Sequence, residues 1–341
     1  MNKSASSAAR KNYNAIDLMK FFMAVCVVAI HTNPLISISN AHVKEIYEAV
    51  VRMAVPFFFL SSGYLLAVKM DYPYDSAESQ QRIQKQLLRM IKLYVLWTIL
   101  YLPWTVHGYA SSGMNFSDAV VPFLRGFFLL GEHAVSWMLW YLLSTIYSLL
   151  LILLLLKKQI SPKVITAVGA GLLFLGVGID ALMDFGGELP GLLSLARKVI
   201  SHTITHGRLF QGVFYLSFGM LLAHRKLSLA LNWVLLLLGF GANCLISNTY
   251  ISQFLILASA IGLFGLVERW SLKDSPIYPI LRTTSTGIYF LHMFVWTAYN
   301  KITVNADIWG MDCFLATTAV CIGLSLVYLP FREIGPRCWN Q

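Results

Sequence analysis

The chain has 341 residues, of which 57% are hydrophobic and only 12% charged, with a formal net charge of +10. Soluble domains carry about twice that charged fraction, so the composition excludes a soluble globular protein. A β-barrel is excluded too, because its strands alternate apolar and polar residues over about ten positions. Here long apolar runs recur instead, as in the twenty uncharged residues from Trp137 to Leu156. About twenty such residues cross a bilayer as one helix. The fold class is therefore all-α, a polytopic bundle of membrane helices in a single domain covering residues 1–341.

Ten spans are predicted, at 16–38, 49–69, 90–107, 136–156, 163–183, 208–223, 229–247, 250–267, 284–300 and 312–331. The first carries Asp17 and Lys20 at one end and His31 at the other. His31 lies eleven positions after Lys20, close to three helical turns, so both lie on one stripe about 16 Å apart along the axis. Asp17 shares that stripe, one turn before Lys20, as a partner for it or for another base. Ionisable residues at membrane depth are functional candidates by default. The structural alternatives are a snorkelling Lys20, a capping Asp17 and an interhelical hydrogen bond from His31.

The second span contains Arg52 and the stretch "PFFFLSSG". A polar segment, "KMDYPYDSAESQQRIQKQ", leads to the third span, which begins beside Lys85, Arg89 and Lys92. A mixed loop, 108–135, precedes the fourth span with Trp140 and Tyr141. His202 and His206 precede Arg208 at the start of the sixth span, four residues apart and thus on one face of a helix. Without an HExxH arrangement they do not read as a zinc site, and no metal is expected. The ninth span carries His292 near its middle.

With the N-terminus in the cytoplasm, nineteen of the 26 Lys and Arg residues fall inside. Both termini are therefore expected to be cytoplasmic, the first apolar stretch being a retained signal anchor. The charge excess then faces anionic lipid headgroups and needs no nucleic acid. Arg52 and Arg208 fall on the outer side, against this bias, where a guanidinium can hold an anionic acceptor or polarise a carbonyl. The five cysteines, Cys26, Cys244, Cys313, Cys321 and Cys338, form no CxxC pair and read as small core residues.

Taken in order, "RMAVPFFFLSSGYLL", "KQLLRMIKLYVLW", "WMLWYLL", "GRLFQGVFYLSFGMLLA" and "STGIYFLHMFV", together with the first span, resemble membrane-bound acyltransferase family 3. In the first span the family has an Arg, ten residues and a His; here Lys20 stands in the Arg position, with ten residues between it and His31. Lysine keeps the charge but loses bidentate phosphate geometry. The family's "FFxLSG" reads "FFFLSSG", its basic element reads Arg89-Met-Ile-Lys92, its "LWYL" is intact at 139–142, and its "YLxH" reads Tyr289-Phe-Leu-His292.

The resemblance implies a bacterial inner-membrane enzyme that moves an acyl group, most often acetyl, from cytoplasmic acyl-coenzyme A to a hydroxyl of a surface glycan or its lipid-linked precursor. On that reading Lys20, Arg89, Lys92 and Asp17 form the donor site. His31 is the general base, or the carrier of an acetyl-imidazole. Arg52, Trp140, Tyr141, Arg208 and His292 serve substrate binding. The alternative is a permease for a small polar solute such as an amino acid. That role is ascribed to a related membrane domain fused to a racemase. The paired, Gly/Pro-broken short helices of inverted-repeat transporters are not evident here.

Overall fold

The computed structural model describes residues 12–246, 248–303 and 308–334. These are helical, with no strand among the described residues. Cys338 and the N-terminal basic residues up to Lys11 lie outside them. Among the described residues, six helical stretches are long and apolar enough to cross a membrane: 14–32, 41–67, 77–111, 137–157, 162–184 and 249–267. Leu229–Asn243 and Met311–Val327 are shorter apolar helices.

Helix α1 (Asn14–Thr32) stops six residues earlier than its expected end. Asn33 takes a left-handed conformation (φ 42°) and returns its N–H to the Ala29 carbonyl, while Pro34 cannot extend the helix. His31 is thereby set in the last turn. The second span is broken into α2 (Ala41–Val51) and α3 (Ala54–Ala67). Pro56 lacks an N–H and crowds the carbonyl four residues before it, that of Arg52, and the break falls there.

Helix α4 (Ala77–Ser111) has 35 residues and begins thirteen positions before its expected start, capped by the Ser76 hydroxyl. At 1.5 Å per residue it is about 52 Å long, against about 30 Å of hydrocarbon. Its polar first third therefore extends past the apolar layer.

The expected 108–135 loop holds α5 (Phe116–Arg125) and a single π-helical turn, Gly126–Leu130. Then come α6 (Trp140–Lys157), α7 (Pro162–Asp184), α8 (Gly191–His202), α9 (Arg208–His224), α10 (Leu229–Asn243), α11 (Thr249–Val267), α12 (Ile277–Thr303) and α13 (Met311–Ile334). Helix α8 ends at His202 and a turn separates it from His206, so the two histidines do not share a helix face; both are exposed.

Helix α9 is central, packing against α3, α6 and α7, while α1 packs on α12 and α3. Membrane helices approach closely where residues are small, and α3 meets α9 in this way. A Cβ at Gly219 would stand 2.3 Å from the Leu60 carbonyl oxygen, and one at Gly63 would stand 2.0 Å from that of Leu216. Gly219→Ala is expected to lose about 1–3 kcal/mol of stability by overpacking. Gly241→Ala, where nothing lies within 4 Å, is the control. Thermal melting in detergent checks both; equal midpoints would contradict the close approach.

Candidate active site at the two ends of α1

Two polar clusters sit at opposite ends of α1, and α12 contributes to each. At the start of α1, Asp17 is 3% exposed and accepts a forked pair of hydrogen bonds from Arg282, with Nε to Oδ1 at 2.9 Å. Lys20, half-buried, feels the charges of Asp17, Arg282 and Arg89. The base that pairs with Asp17 is thus Arg282, which sequence spacing did not single out. With Asp17 engaged by Arg282, the Lys20 ammonium leaves this trio net positive. Lys92 and Lys85 lie exposed on α4.

At the finish of α1, the His31 ring lies 5.1 Å from that of His292, tilted by 32°. His292 is fully buried, and its Nδ1 is 3.0 Å from the Ile288 carbonyl. A carbonyl only accepts, so Nδ1 carries the hydrogen and Nε2 is left as a bare acceptor. That Nε2 has no partner among the described residues. His31 faces Trp137 at 6.1 Å between ring centres and feels the charge of Arg208. Its helix end is tied to the α12–α13 connection by Gly310 N–H donating to the Thr32 carbonyl at 2.8 Å.

The other expected residues gather around this end or below it. Arg208 ion-pairs with Glu132, and its guanidinium lies 5.2 Å from the centre of the Trp140 ring. Tyr141 meets Ser62 at 3.2 Å between hydroxyls and packs 4.4 Å from Phe59. Tyr289 donates to the Met138 carbonyl at 2.6 Å. Three short elements distant in sequence therefore touch: "FFFLSSG" through Ser62, "LWYL" through Tyr141 and "YLxH" through Tyr289. Arg52, at the α2–α3 break, reaches Ser252 on α11 at 3.3 Å and does not join the His31 cluster. Between the two ends Ala24, Val27 and Val28 are buried, so α1 is packed along the stretch that separates Lys20 from His31.

The profile of the family described as "Acyltransferase domain", acyltransferase family 3, matches residues 13–330. The chain belongs to acyltransferase family 3. It is 29% identical over 324 residues to an amino-acid racemase of Enterococcus faecalis, covering 94% of this chain and 43% of that protein. It is also 28% identical over 298 residues to a serine/alanine racemase of Enterococcus gallinarum, covering 81% of this chain and 40% of that protein. The chain thus spans less than half the length of these curated relatives. No solved structure matches it.

Among the described residues, no three His, Cys, Asp or Glu side chains come together in the manner of a metal site. Cys26, Cys244, Cys313 and Cys321 are free thiols. Sequence reasoning passed over Arg282, Glu132 and Trp137. Only for Arg282 was there a signal: a basic residue at the inner end of a span, one among many.

Proposed function

We propose that the chain is an O-acyltransferase of ten crossings in a bacterial cell membrane, with both termini cytoplasmic. It takes an acyl group, acetyl in the simplest case, from cytoplasmic acyl-coenzyme A. It delivers that group to a hydroxyl of a surface glycan or a lipid-linked precursor. The observation that carries this reading is the pair of clusters on α1 and α12: a net positive one with Lys20, Arg89 and Arg282, and an imidazole pair at the far end. The contacts Asp17–Arg282 and His31–His292 require α1 and α12 to run the same way. That agrees with seven crossings between them.

Phosphates of the donor are held at the cationic end, and the thioester arm runs about 16 Å along α1, from Lys20 to His31. Because Ala24, Val27 and Val28 are packed, the helices must part along this line when the donor enters. His31 removes the proton of the acceptor hydroxyl as its oxygen attacks the thioester carbonyl; the carbon–sulfur bond breaks, and the proton passes to the thiolate. His292 offers its bare Nε2 to an N–H of His31, orienting the ring and steadying the imidazolium. Arg208 faces the carbonyl oxygen as negative charge grows on it. The covalent route through an acetyl-imidazole uses the same residues.

The test is transfer of labelled acetyl from acetyl-coenzyme A to isolated cell-surface glycan by purified protein in vesicles. Label in the glycan and free coenzyme A in equal amounts support the reading. A second reading, a permease for an amino acid, draws on the racemase names of the two relatives. Uptake of labelled serine or alanine without coenzyme A release would favour it.

Asp17→Asn is expected to loosen the α1–α12 pairing by about 1.5–3 kcal/mol, the worth of hydrogen bonds between charged groups. A thermal midpoint unchanged from that of the parent would refute this.

A further inference from the structure

Two short helices, α5 and α8, lie at the His31 end of the bundle, and neither has a buried residue. Helix α8 leads through a turn to Arg208, whose charge His31 feels. Along α8, Leu192, Leu195 and Val199 recur at the spacing of one helix face. They are 80%, 57% and 54% exposed. Ser194, Arg197, Lys198 and Ser201 fall on the opposite face. The polar face is the one turned back on the protein, since Arg197 donates to the Phe185 carbonyl at the end of α7 (2.9 Å). A water-facing helix would turn its faces the other way. Arg125 of α5 donates to the carbonyls of Ser201 (2.8 Å) and Thr203 (2.7 Å), which joins α5 to the finish of α8. Helix α5 adds Phe116 and Val121, both largely exposed.

A twelve-residue helix is marginal in water on its own, and α8 gains no burial from the protein. Its apolar face therefore needs a cover. Two observations say which. Helix α7, which leads into α8, is long and apolar enough to cross a membrane and exposes Phe174 and Leu175. That apolar surface continues along the chain through exposed Phe185 into α8. The charge on α8 also has one sign: Arg197 bonds a neutral carbonyl, Lys198 is exposed, and the helix carries no Asp or Glu. An apolar stripe with Lys and Arg on the other face fits the boundary between anionic headgroups and acyl chains.

We propose that α8, with α5 beside it, is an in-plane membrane helix: its apolar face sinks into the headgroup–acyl boundary on the His31 side, and Arg197 and Lys198 favour anionic phospholipid there. The assignment needs the bundle to span a bilayer and needs no step of acyl transfer. The experiment is photocrosslinking of the full chain in nanodiscs of equal parts phosphatidylethanolamine and phosphatidylglycerol. The photoreactive residue p-benzoylphenylalanine replaces Leu192, Leu195 or Ser194 in turn, and adducts are identified by mass spectrometry. Acetyl transfer from acetyl-coenzyme A is followed in parallel.

Positions 192 and 195 are expected to give single-lipid adducts, several-fold more than position 194 on the opposite face. Phosphatidylglycerol should be favoured about two- to five-fold, the scale of one basic residue at an anionic surface. Lys198→Glu is expected to bring the two lipids to parity while the total lipid adduct at 192 is kept. Lys198 is exposed, so its replacement leaves the fold standing, and a melting curve verifies this. Adducts to a second copy of the chain in place of lipid would overturn the assignment. So would equal yields at 192 and 194, or a phosphatidylglycerol share that Lys198→Glu does not move. The expected lipid pattern in a protein that transfers no acetyl would leave the membrane contact standing and remove the acyltransferase mechanism.

Discussion

His31→Ala is expected to lower acyl transfer by about 10²- to 10⁴-fold, the contribution of a positioned general base. The protein should still fold, because His31 sits in the last turn of α1 and makes no hydrogen bond among the described residues that the helix depends on. The discriminating companion is His292→Gln. Its Nδ1 is committed to the Ile288 carbonyl, and on the proposed mechanism His292 acts through His31 as a positioning residue. Its loss should lower kcat, leave KM for the donor within about two-fold, and displace the acid limb of the pH–rate profile. Equal rates for His31→Ala and the parent would remove the imidazole from the mechanism. Acid quenching after mixing with labelled acetyl-coenzyme A, without acceptor, separates the two chemical routes. Label retained by the parent and lost from His31→Ala marks an acetyl-imidazole; no retained label marks direct attack.

A weaker effect belongs to His133. Burial pushes its pKa down to about 4 from 6.5. Folding therefore favours the neutral ring, and the stabilisation is complete above the unfolded value and lost as pH falls from about 6.5 toward 4. The loss amounts to about 3 kcal/mol at most. Hydrogen exchange of residues 126–136 at pH 7 and pH 5 reads it; equal protection would place the ring in solvent.

Much of this was legible in the chain itself. The apolar runs define the class because hydrocarbon tolerates few charges, and the eleven-residue spacing put Lys20 and His31 on one stripe because a helix has a fixed period. The break at Arg52 was missed, the expected span 49–69 running straight through it, although Pro56 four residues later supplies the physical cause. What spacing cannot convey is pairing between helices. Asp17 and Arg282 are 265 residues apart, and nothing local to either names the other. Glu132 reads as one loop acid until α9 brings Arg208 to it. The segment 108–135 mixes polar and apolar residues, so the placement of its helix and π-turn emerges only when the end of α8 and the turn after it supply the carbonyls that hold Arg125.

The second large effect is expected at the opposite end of α1. Lys20→Glu reverses the charge that stands with Arg89 and Arg282. It should raise KM for acetyl-coenzyme A by about 10- to 100-fold, equivalent to one or two charge-assisted phosphate contacts, while kcat at saturating donor changes little. Lys20→Arg tests geometry against charge. If the cluster works as a field, the arginine variant keeps the parent KM. If a compact ammonium is required among Asp17, Arg282 and Arg89, the wider guanidinium fails even with its charge intact. The same experiment bears on the packed path between the ends. Ala24→Leu adds bulk at a position with no exposure, one turn above Lys20 on the way to His31, and leaves both of those side chains in place. A donor that reaches His31 along α1 should be blocked by it, with kcat falling and donor affinity kept. A donor that approaches from elsewhere would be indifferent, and unchanged kcat in a correctly folded Ala24→Leu protein would move the thioester route off this helix.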